Sequence, residues 1–240
     1  MSLARLFLND LGIMTAIVSN MQAIRAAIKQ AALVAKRDAA EISLLAVSKT
    51  MPASSIREAY IAGQTAFGEN YLQEALDKMQ ELKDLPLDWH FIGPIQSNKT
   101  RLIAENFKWV HSVDRFKIAQ RLSEQRPAAL PPLNICLQIN VSGENSKGGI
   151  KAEEAATMAA AIAQLPNLKL RGLMAIPAPA EEMSAQRLPF VKMRELMADL
   201  NQQGLALDTL SMGMSHDLEA AILEGATIVR VGTAIFGKRM

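Results

Sequence analysis

Cysteine is almost absent from the sequence. Cys136 is the single cysteine among 240 residues, which excludes an intrachain disulfide framework and a metal site built from several cysteines. Its place in the middle of an apolar run favours a small buried residue over a nucleophile. The three histidines, His90, His111 and His216, lack the spacing of metal ligands. We interpret them as structural or solvent-facing.

Excess charge and long apolar runs are missing as well. The 26 Lys and Arg residues nearly balance the 24 Asp and Glu residues, which gives no electrostatic reason to expect nucleic-acid binding. No apolar run approaches the roughly 18 residues that a membrane-spanning helix needs. The N-terminal stretch lacks the long apolar centre and the clear cleavage site of a signal peptide. We therefore expect a cytoplasmic protein without a membrane or nucleic-acid partner.

What the sequence does contain is enough apolar material for a sizeable core. Hydrophobic residues make up 50% of the chain and charged residues 21%, a composition that is not typical of disorder. A coherent helical pattern begins only after Met14, so residues 1–13 are predicted to be a poorly ordered extension. No linker or repeat divides the rest. We predict one domain over residues 14–240, and a monomer because no exposed apolar helix stands out.

Short apolar runs alternate with helical patterns along the whole chain. An N-terminal helix starts near Ile17, and eight strand candidates follow, the first seven each with a helix behind it. The strand candidates are residues 42–50, 65–67, 89–92, 109–113, 133–141, 170–176, 209–212 and 227–231. This alternation predicts a parallel sheet wrapped by helices. Eight units in about 200 residues match a single (β/α)8 barrel of the TIM type, with a doubly wound open sheet as the alternative.

Polar residues at the strand ends are the candidates for chemistry, because the active site of such a barrel lies there. Lys49 ends the first strand on the face that carries Leu45 and Val47. If that face points inward, burial lowers the pKa of the ammonium and favours the neutral amine that imine formation needs. A snorkelling or salt-bridged lysine stays open as the alternative.

Small residues follow the seventh and eighth strands, where barrels frequently bind phosphate. Gly213 and Ser215 lie in the first turn, and Gly232 and Thr233 lie in the second. Such residues let backbone N–H groups approach an anion, and the N-terminus of the next helix adds partial positive charge. Ordinary turns use the same residues, so both interpretations stay open. Asp217 is interpreted as a helix cap, because its charge would repel phosphate.

Three further polar residues lie near the same strand ends. Arg230 shares a face with Gly232 and is expected to point into the barrel mouth. There it needs a ligand or a partner in a buried structural ion pair. Glu69 and Asn70 follow the second strand, where they could orient a ligand or cap the next helix.

Seven motifs, in order, resemble those of the pyridoxal phosphate homeostasis proteins, and the resemblance runs over nearly the whole chain from about Met14. They are Ala46-Val-Ser-Lys-Thr50, Phe67-Gly-Glu-Asn-Tyr71 with Gln73-Glu74, His90-Phe-Ile-Gly-Pro-Ile-Gln-Ser-Asn-Lys99, Asn140 through Lys147-Gly-Gly149, Arg171-Gly-Leu-Met-Ala-Ile-Pro177, Ser211-Met-Gly-Met-Ser215 and Arg230-Val-Gly-Thr-Ala-Ile-Phe-Gly237. The resemblance implies the barrel shared with the N-terminal domain of alanine racemase, and pyridoxal 5'-phosphate (PLP) as the cofactor.

The resemblance also implies roles for the candidate residues. Lys49 is similar to the lysine that holds the cofactor as an internal aldimine, Arg230 to the residue that faces the pyridine nitrogen, and Asn70 to a further pocket residue. The implied phosphate ligands are Ser215, Gly232 and Thr233, with Gly213 close by. Many relatives carry a second lysine where this sequence has Met51, so a cofactor-transfer role for that lysine is not expected here.

The implied function is intracellular PLP homeostasis, by buffering or by delivery to PLP-dependent apoenzymes, without a committed reaction. An arginine at the ring nitrogen disfavours its protonation and weakens the ring as an electron sink. Racemases of this barrel type take a tyrosine from a second, β-rich domain. The sequence ends at Met240, so no such domain is expected, and neither Tyr60 nor Tyr71 is placed for that role. A small PLP-dependent racemase or lyase, and a sugar-phosphate enzyme without PLP, remain as alternatives.

Overall fold

The computed structural model describes residues 15–143 and 148–237 of the chain. The predicted extension over residues 1–13 lies outside the described residues, as does Lys147 of the fourth motif. Within the two described ranges, no helix is both long enough and apolar enough to cross a membrane.

Eight parallel strands close into a barrel in sequential order. They are β1 (Ser43–Val47), β2 (Ala66–Glu69), β3 (Asp88–Phe91), β4 (Trp109–Val113), β5 (Leu133–Gln138), β6 (Leu168–Met174), β7 (Thr209–Ser211) and β8 (Ile228–Val231). The ring is closed by β1, which pairs with β2 on one side and with β8 on the other. The predicted barrel is confirmed, and the open sheet is wrong because an open sheet would leave its edge strands unpaired.

Nine helices of the described residues surround the barrel or flank its ends. They are α1 (Ala16–Val34), α2 (Ala53–Ile61), α3 (Leu72–Glu81), α4 (Thr100–Asn106), α5 (Phe116–Gln125), α6 (Ala155–Ala163), α7 (Met183–Gln202), α8 (Leu218–Leu223) and α9 (Thr233–Phe236). The short α9 was not predicted, because four residues carry no periodic signal. The longer α7 contains Pro189 in its interior.

The apolar core lies mainly between the barrel and its helices, with a smaller set of residues inside the barrel. Phe67 and Phe190, both fully buried, belong to the outer core. Leu45 is equally buried but pairs in register with Arg230 across the β1–β8 ladder, and paired residues point to the same face. The face that carries Leu45, Val47 and Lys49 therefore points inward, as expected from the alternation along the first strand.

Candidate functional site

A cavity of about 210 Å³ opens at the carboxyl ends of the strands. The cavity is lined by six of the residues that the sequence singled out: Lys49, Asn70, Ser215, Arg230, Gly232 and Thr233. They come from loops after β1, β2, β7 and β8 and from β8 itself. The fold thus brings these predicted residues to one place, while their roles toward a ligand stay predictions.

The turn after β7 depends on a glycine and a carboxylate. Gly213 has φ +91°, and a Cβ there would lie 2.5 Å from Cβ of Ala221 in α8, so only glycine allows this close approach. The Asp217 carboxylate accepts a hydrogen bond from the Met214 amide at 2.6 Å. Asp217 occupies the N-cap position of α8, but no helix amide donates to its side chain. It fixes the turn that presents Ser215 rather than capping the helix as expected.

Glu69 ends β2 and Asn70 follows it, but the two take different roles, and neither caps α3, which begins after Tyr71. Glu69 is fully buried and accepts hydrogen bonds from Lys78 at 2.8 Å and Ser48 at 2.6 Å. Burial raises the pKa of Glu69, although the bonds from Lys78 and Ser48 oppose that shift. The structure therefore makes Glu69 part of a buried ion pair behind the cavity.

Asn70 lines the cavity and carries a buried side-chain oxygen that lacks a partner among the described residues. Its Oδ1 is buried without a hydrogen bond from any residue that the structure describes, and such atoms are rare unless a ligand or water satisfies them. A Cβ at Gly93 would lie 2.1 Å from the Asn70 carbonyl oxygen, so the loop after β3 packs directly on the Asn70 backbone. The carboxamide is thus held at the cavity wall, where it could hydrogen-bond a ligand.

Arg230 reaches the cavity from inside the barrel. Its Nη1 donates to the carbonyl and the hydroxyl of Ser211 at 2.5 and 2.8 Å, and its Nη2 donates to the Ala175 carbonyl at 2.9 Å. These neutral acceptors make the alternative of a buried ion pair wrong. Burial lowers the pKa of Arg230 to about 10, so the guanidinium remains charged at neutral pH. It presents a fixed positive group to the cavity.

A row of hydrogen bonds continues from Arg230 through the barrel. Ser211 Oγ lies 2.7 Å from His111 Nδ1, and His111 Nε2 lies 2.9 Å from His90 Nδ1. Arg230 donates to the Ser211 hydroxyl, and the tautomers of the two rings set which atom donates in the other two bonds. The row therefore links Arg230 at the cavity to His90 deeper in the barrel.

Both histidines in this row are neutral. Burial lowers the pKa of His90 to about 3, and burial together with the charge of Arg230 holds the pKa of His111 well below its ordinary value. The interpretation of these two residues as structural is confirmed, and the described residues contain no metal-binding cluster of His, Cys, Asp or Glu. His216 is exposed and lines the cavity. The row itself was not predicted, although inward-facing polar residues on β3, β4, β7 and β8 were its signal.

Stacked side chains close the amino end of the barrel. The His90 ring stacks on Trp109 with centroids 5.6 Å apart, and the Arg171 guanidinium lies 4.9 Å from the Trp109 centroid. Arg171 also holds Asp208 through three contacts of 2.8 to 3.0 Å. Burial would raise the pKa of Asp208, but the hydrogen bonds from Arg171 and Thr209 lower it. We call His90, Trp109, Arg171 and Asp208 the amino-end plug.

Comparison with protein families assigns this chain a known barrel. The model of the alanine racemase N-terminal domain matches residues 14–240. The pyridoxal phosphate homeostasis protein of Pseudomonas aeruginosa is 66% identical over 226 residues, which cover 94% of this chain and 97% of that protein. The protein of the same name from Escherichia coli is 55% identical over 229 residues, which cover 94% and 98%.

Solved structures agree with the observed fold. PipY of Synechococcus elongatus PCC7942, solved with PLP bound, is 39% identical with a TM-score of 0.82 and covers 92% of this chain and 100% of PipY. Alanine racemase of Corynebacterium glutamicum is 19% identical with a TM-score of 0.68. That match covers 93% of this chain and 60% of the racemase. At such low identity it supports the shared fold alone.

Proposed function

We propose a function from the premise that the chain belongs to the family of the alanine racemase N-terminal domain and, within it, to the pyridoxal phosphate homeostasis proteins. The proposal is that the chain binds PLP and serves PLP homeostasis. The observation that carries the proposal is the convergence of Lys49, Arg230 and the two small-residue turns on one cavity. PipY, a relative solved with PLP bound, supports the same ligand.

The residues of the cavity suit this cofactor. The cofactor supplies an aldehyde with which a primary amine condenses, releasing water, and Lys49 is the lysine in the cavity lining. Ser215, Gly232 and Thr233 would hold the phosphate with their hydroxyl and backbone N–H groups. Arg230, which can only donate, would hydrogen-bond the ring nitrogen in its unprotonated form. The unpartnered Oδ1 of Asn70 marks a further polar contact.

We propose buffering or delivery rather than catalysis as the role of the bound cofactor. The fixed positive charge of Arg230 disfavours a protonated ring nitrogen. The residues that line the cavity include no tyrosine, because Tyr60 and Tyr71 lie elsewhere. The homeostasis name of the curated relatives supports the same view. Met51 stands in the cavity lining, so release would proceed without a second lysine at that position.

The decisive experiment compares the wild-type protein with Lys49→Ala and with Lys169→Ala, which removes an exposed lysine far from the cavity. After incubation with PLP and reduction with borohydride, peptide mass spectrometry should find the cofactor on the peptide with Lys49. The Lys169→Ala protein should give the same adduct, and the Lys49→Ala protein should give none at this position. An unmodified Lys49 peptide in the wild-type protein would refute the proposal.

We further propose that the protein works as a cytoplasmic monomer that passes PLP to apoenzymes. The PLP-loaded protein is mixed with a PLP-dependent apoenzyme in the presence of a scavenger that removes free PLP. The activity of the apoenzyme should still be restored. Sedimentation equilibrium tests the monomer, and cell fractionation tests the compartment. A stable dimer, or activity restored only by the free cofactor, would contradict the corresponding part.

A weak amino-acid racemase or lyase is the second candidate, and one observation favours it. His216 lines the cavity together with Lys49, so two groups that can exchange protons share the site. Turnover of an amino acid by the loaded protein, abolished by Lys49→Ala and reduced by His216→Gln, would establish it. If the amino acid is unchanged after prolonged incubation, only the binding role remains.

A further inference from the structure

Behind the loop that carries Lys49 lies a compact ion cluster. Nζ of Lys78 in α3 donates to Glu69 at 2.8 Å, to Glu74 at 2.5 Å and to the Ser48 carbonyl at 2.8 Å. The Lys78 side chain is only 7% exposed and that of Glu69 is fully buried. All three donors of the ammonium are therefore used, which is the condition under which a buried charge is tolerated.

This cluster contacts both neighbours of Lys49. Ser48 donates its hydroxyl to Glu69 at 2.6 Å, and its carbonyl accepts from Lys78. On the other side, the Thr50 amide donates to the Glu74 carboxylate at 2.5 Å. The backbone is thus fixed immediately before and immediately after Lys49. Charge-assisted hydrogen bonds of this kind are among the stronger ones in proteins.

The backbone at Thr50 needs such fixation. Thr50 has φ +64°, and a β-branched residue in the left-handed region is strained. Without the bond from its amide to Glu74, the loop would relax toward negative φ. That change would turn the backbone next to Lys49 and move its side chain relative to the opposite wall of the cavity, where Ser215 and Thr233 lie.

A second buried carboxylate shows what a purely structural pair looks like in this protein. Glu224, 1% exposed, accepts hydrogen bonds from Arg187 and Arg194 of α7. It lies at the end of α8, and its side-chain hydrogen bonds and ion pairs among the described residues go to α7 rather than to the loop after β1. Glu224 therefore provides a matched control for charge burial without contact to Lys49.

From these contacts we infer that Glu69, Glu74 and Lys78 form a positioning cluster for Lys49, an inference that rests on the proposed function. The cluster holds the strained loop so that the lysine amine and the two small-residue turns face one ligand together. Its members do not touch the ligand; they act through Ser48 and Thr50. Loss of the cluster should weaken PLP binding and loosen the loop even when the barrel remains folded.

The test uses Lys78→Met and Glu74→Ala, with Glu224→Gln as the control. Lys78→Met leaves Glu69 buried without its cation and could prevent folding, whereas Glu74 is 29% exposed, so Glu74→Ala should fold. We expect Glu74→Ala to raise the Kd for PLP about tenfold and to speed hydrogen exchange of the Thr50 amide in the protein without PLP at least tenfold. Adding Thr50→Asn should recover part of the affinity, because asparagine tolerates positive φ.

The outcomes separate this inference from the function on which it rests. If the wild-type protein forms no adduct at Lys49, the proposed function fails and the inference falls with it. If the wild-type protein forms the adduct and Glu74→Ala keeps both the Kd and the exchange rate within twofold, the inference alone is overturned. It is also overturned if Glu224→Gln weakens PLP binding as strongly, since a general loss of stability would then explain the result.

Discussion

The two ends of the barrel use polar residues in opposite ways. At the amino end, the side chains of the plug bind one another: Arg171 pairs with Asp208 and lies over Trp109, on which His90 stacks. At the carboxyl end, Asn70 keeps a buried oxygen without a partner beside small-residue turns and an open cavity. At the amino end the paired groups stabilise the fold, whereas an unpaired group at the cavity can hydrogen-bond a ligand. The amino end therefore contributes mainly to stability and the carboxyl end mainly to binding, with the paired Glu69 and Lys78 behind the cavity as the exception.

The largest effect on stability should come from the histidines that join the two ends. Burial lowers the pKa of His90 to about 3 and holds the pKa of His111 well below its ordinary value, so below pH 6.5 the unfolded chain binds more protons than the folded protein. The free energy of unfolding is therefore fully present above pH 6.5 and falls as the pH falls. At pH 5 we expect a loss of about 2 kcal/mol from His90, to which His111 adds a further loss.

Urea unfolding at pH 7 and pH 5 measures this loss. In His90→Gln, about 2 kcal/mol of it should disappear, because one buried imidazole no longer titrates. His216→Gln removes an exposed histidine and should leave the loss unchanged. A pH dependence that is the same in all three proteins would show that the interior row does not resist protonation.

The next largest effect should come from a substitution at the carboxyl end that lowers both stability and binding. Gly93→Ala places a Cβ against the Asn70 carbonyl oxygen at the binding end, so backbone must move. We expect a loss of about 3 kcal/mol in the free energy of unfolding, together with weaker PLP binding. Gly148→Ala, whose Cβ would lie 3.4 Å from the nearest atom, is the control. Wild-type stability of Gly93→Ala would mean that this loop yields easily.

A smaller effect is expected at the amino-end plug. Arg171→Ala removes the pair with Asp208 and the contact with the Trp109 ring. Because Arg171 is partly exposed, the loss should be about 1 kcal/mol. The Kd for PLP should stay within twofold of the wild-type value, measured by titration of the cofactor absorbance. A tenfold weaker affinity would show that the two ends are coupled more strongly than their contacts suggest.

The smallest change in stability should accompany a clear change in binding. Asn70→Ala removes a buried polar atom that has no partner among the described residues, so the free energy of unfolding should change by less than about 0.5 kcal/mol. PLP should nevertheless bind about tenfold more weakly. Thermal unfolding with and without PLP gives both numbers, and a large loss of stability without the ligand would contradict the division between the ends.

The sequence predicted the site better than it predicted what holds the site in place. Lys49 and Arg230 were identifiable because strand alternation and the position of strand ends in a barrel place them at the mouth. The contact of Lys78 with Glu69 was not identifiable, since Lys78 in an amphipathic helix looks like a solvent-facing charge. Pairing across elements depends on tertiary packing, which periodicity does not encode. The same limit applies to Arg126, whose buried guanidinium donates to the Ala104 and Phe107 carbonyls.

The donors of Arg230 restrict how position 230 can change. Its guanidinium reaches across the barrel to the carbonyl oxygens of Ser211 and Ala175. A carboxylate at this position could only accept, so both carbonyl oxygens would lose this donor and face a negative charge instead. Replacing the arginine by an acid would therefore require compensating changes on the neighbouring strands rather than a single point mutation.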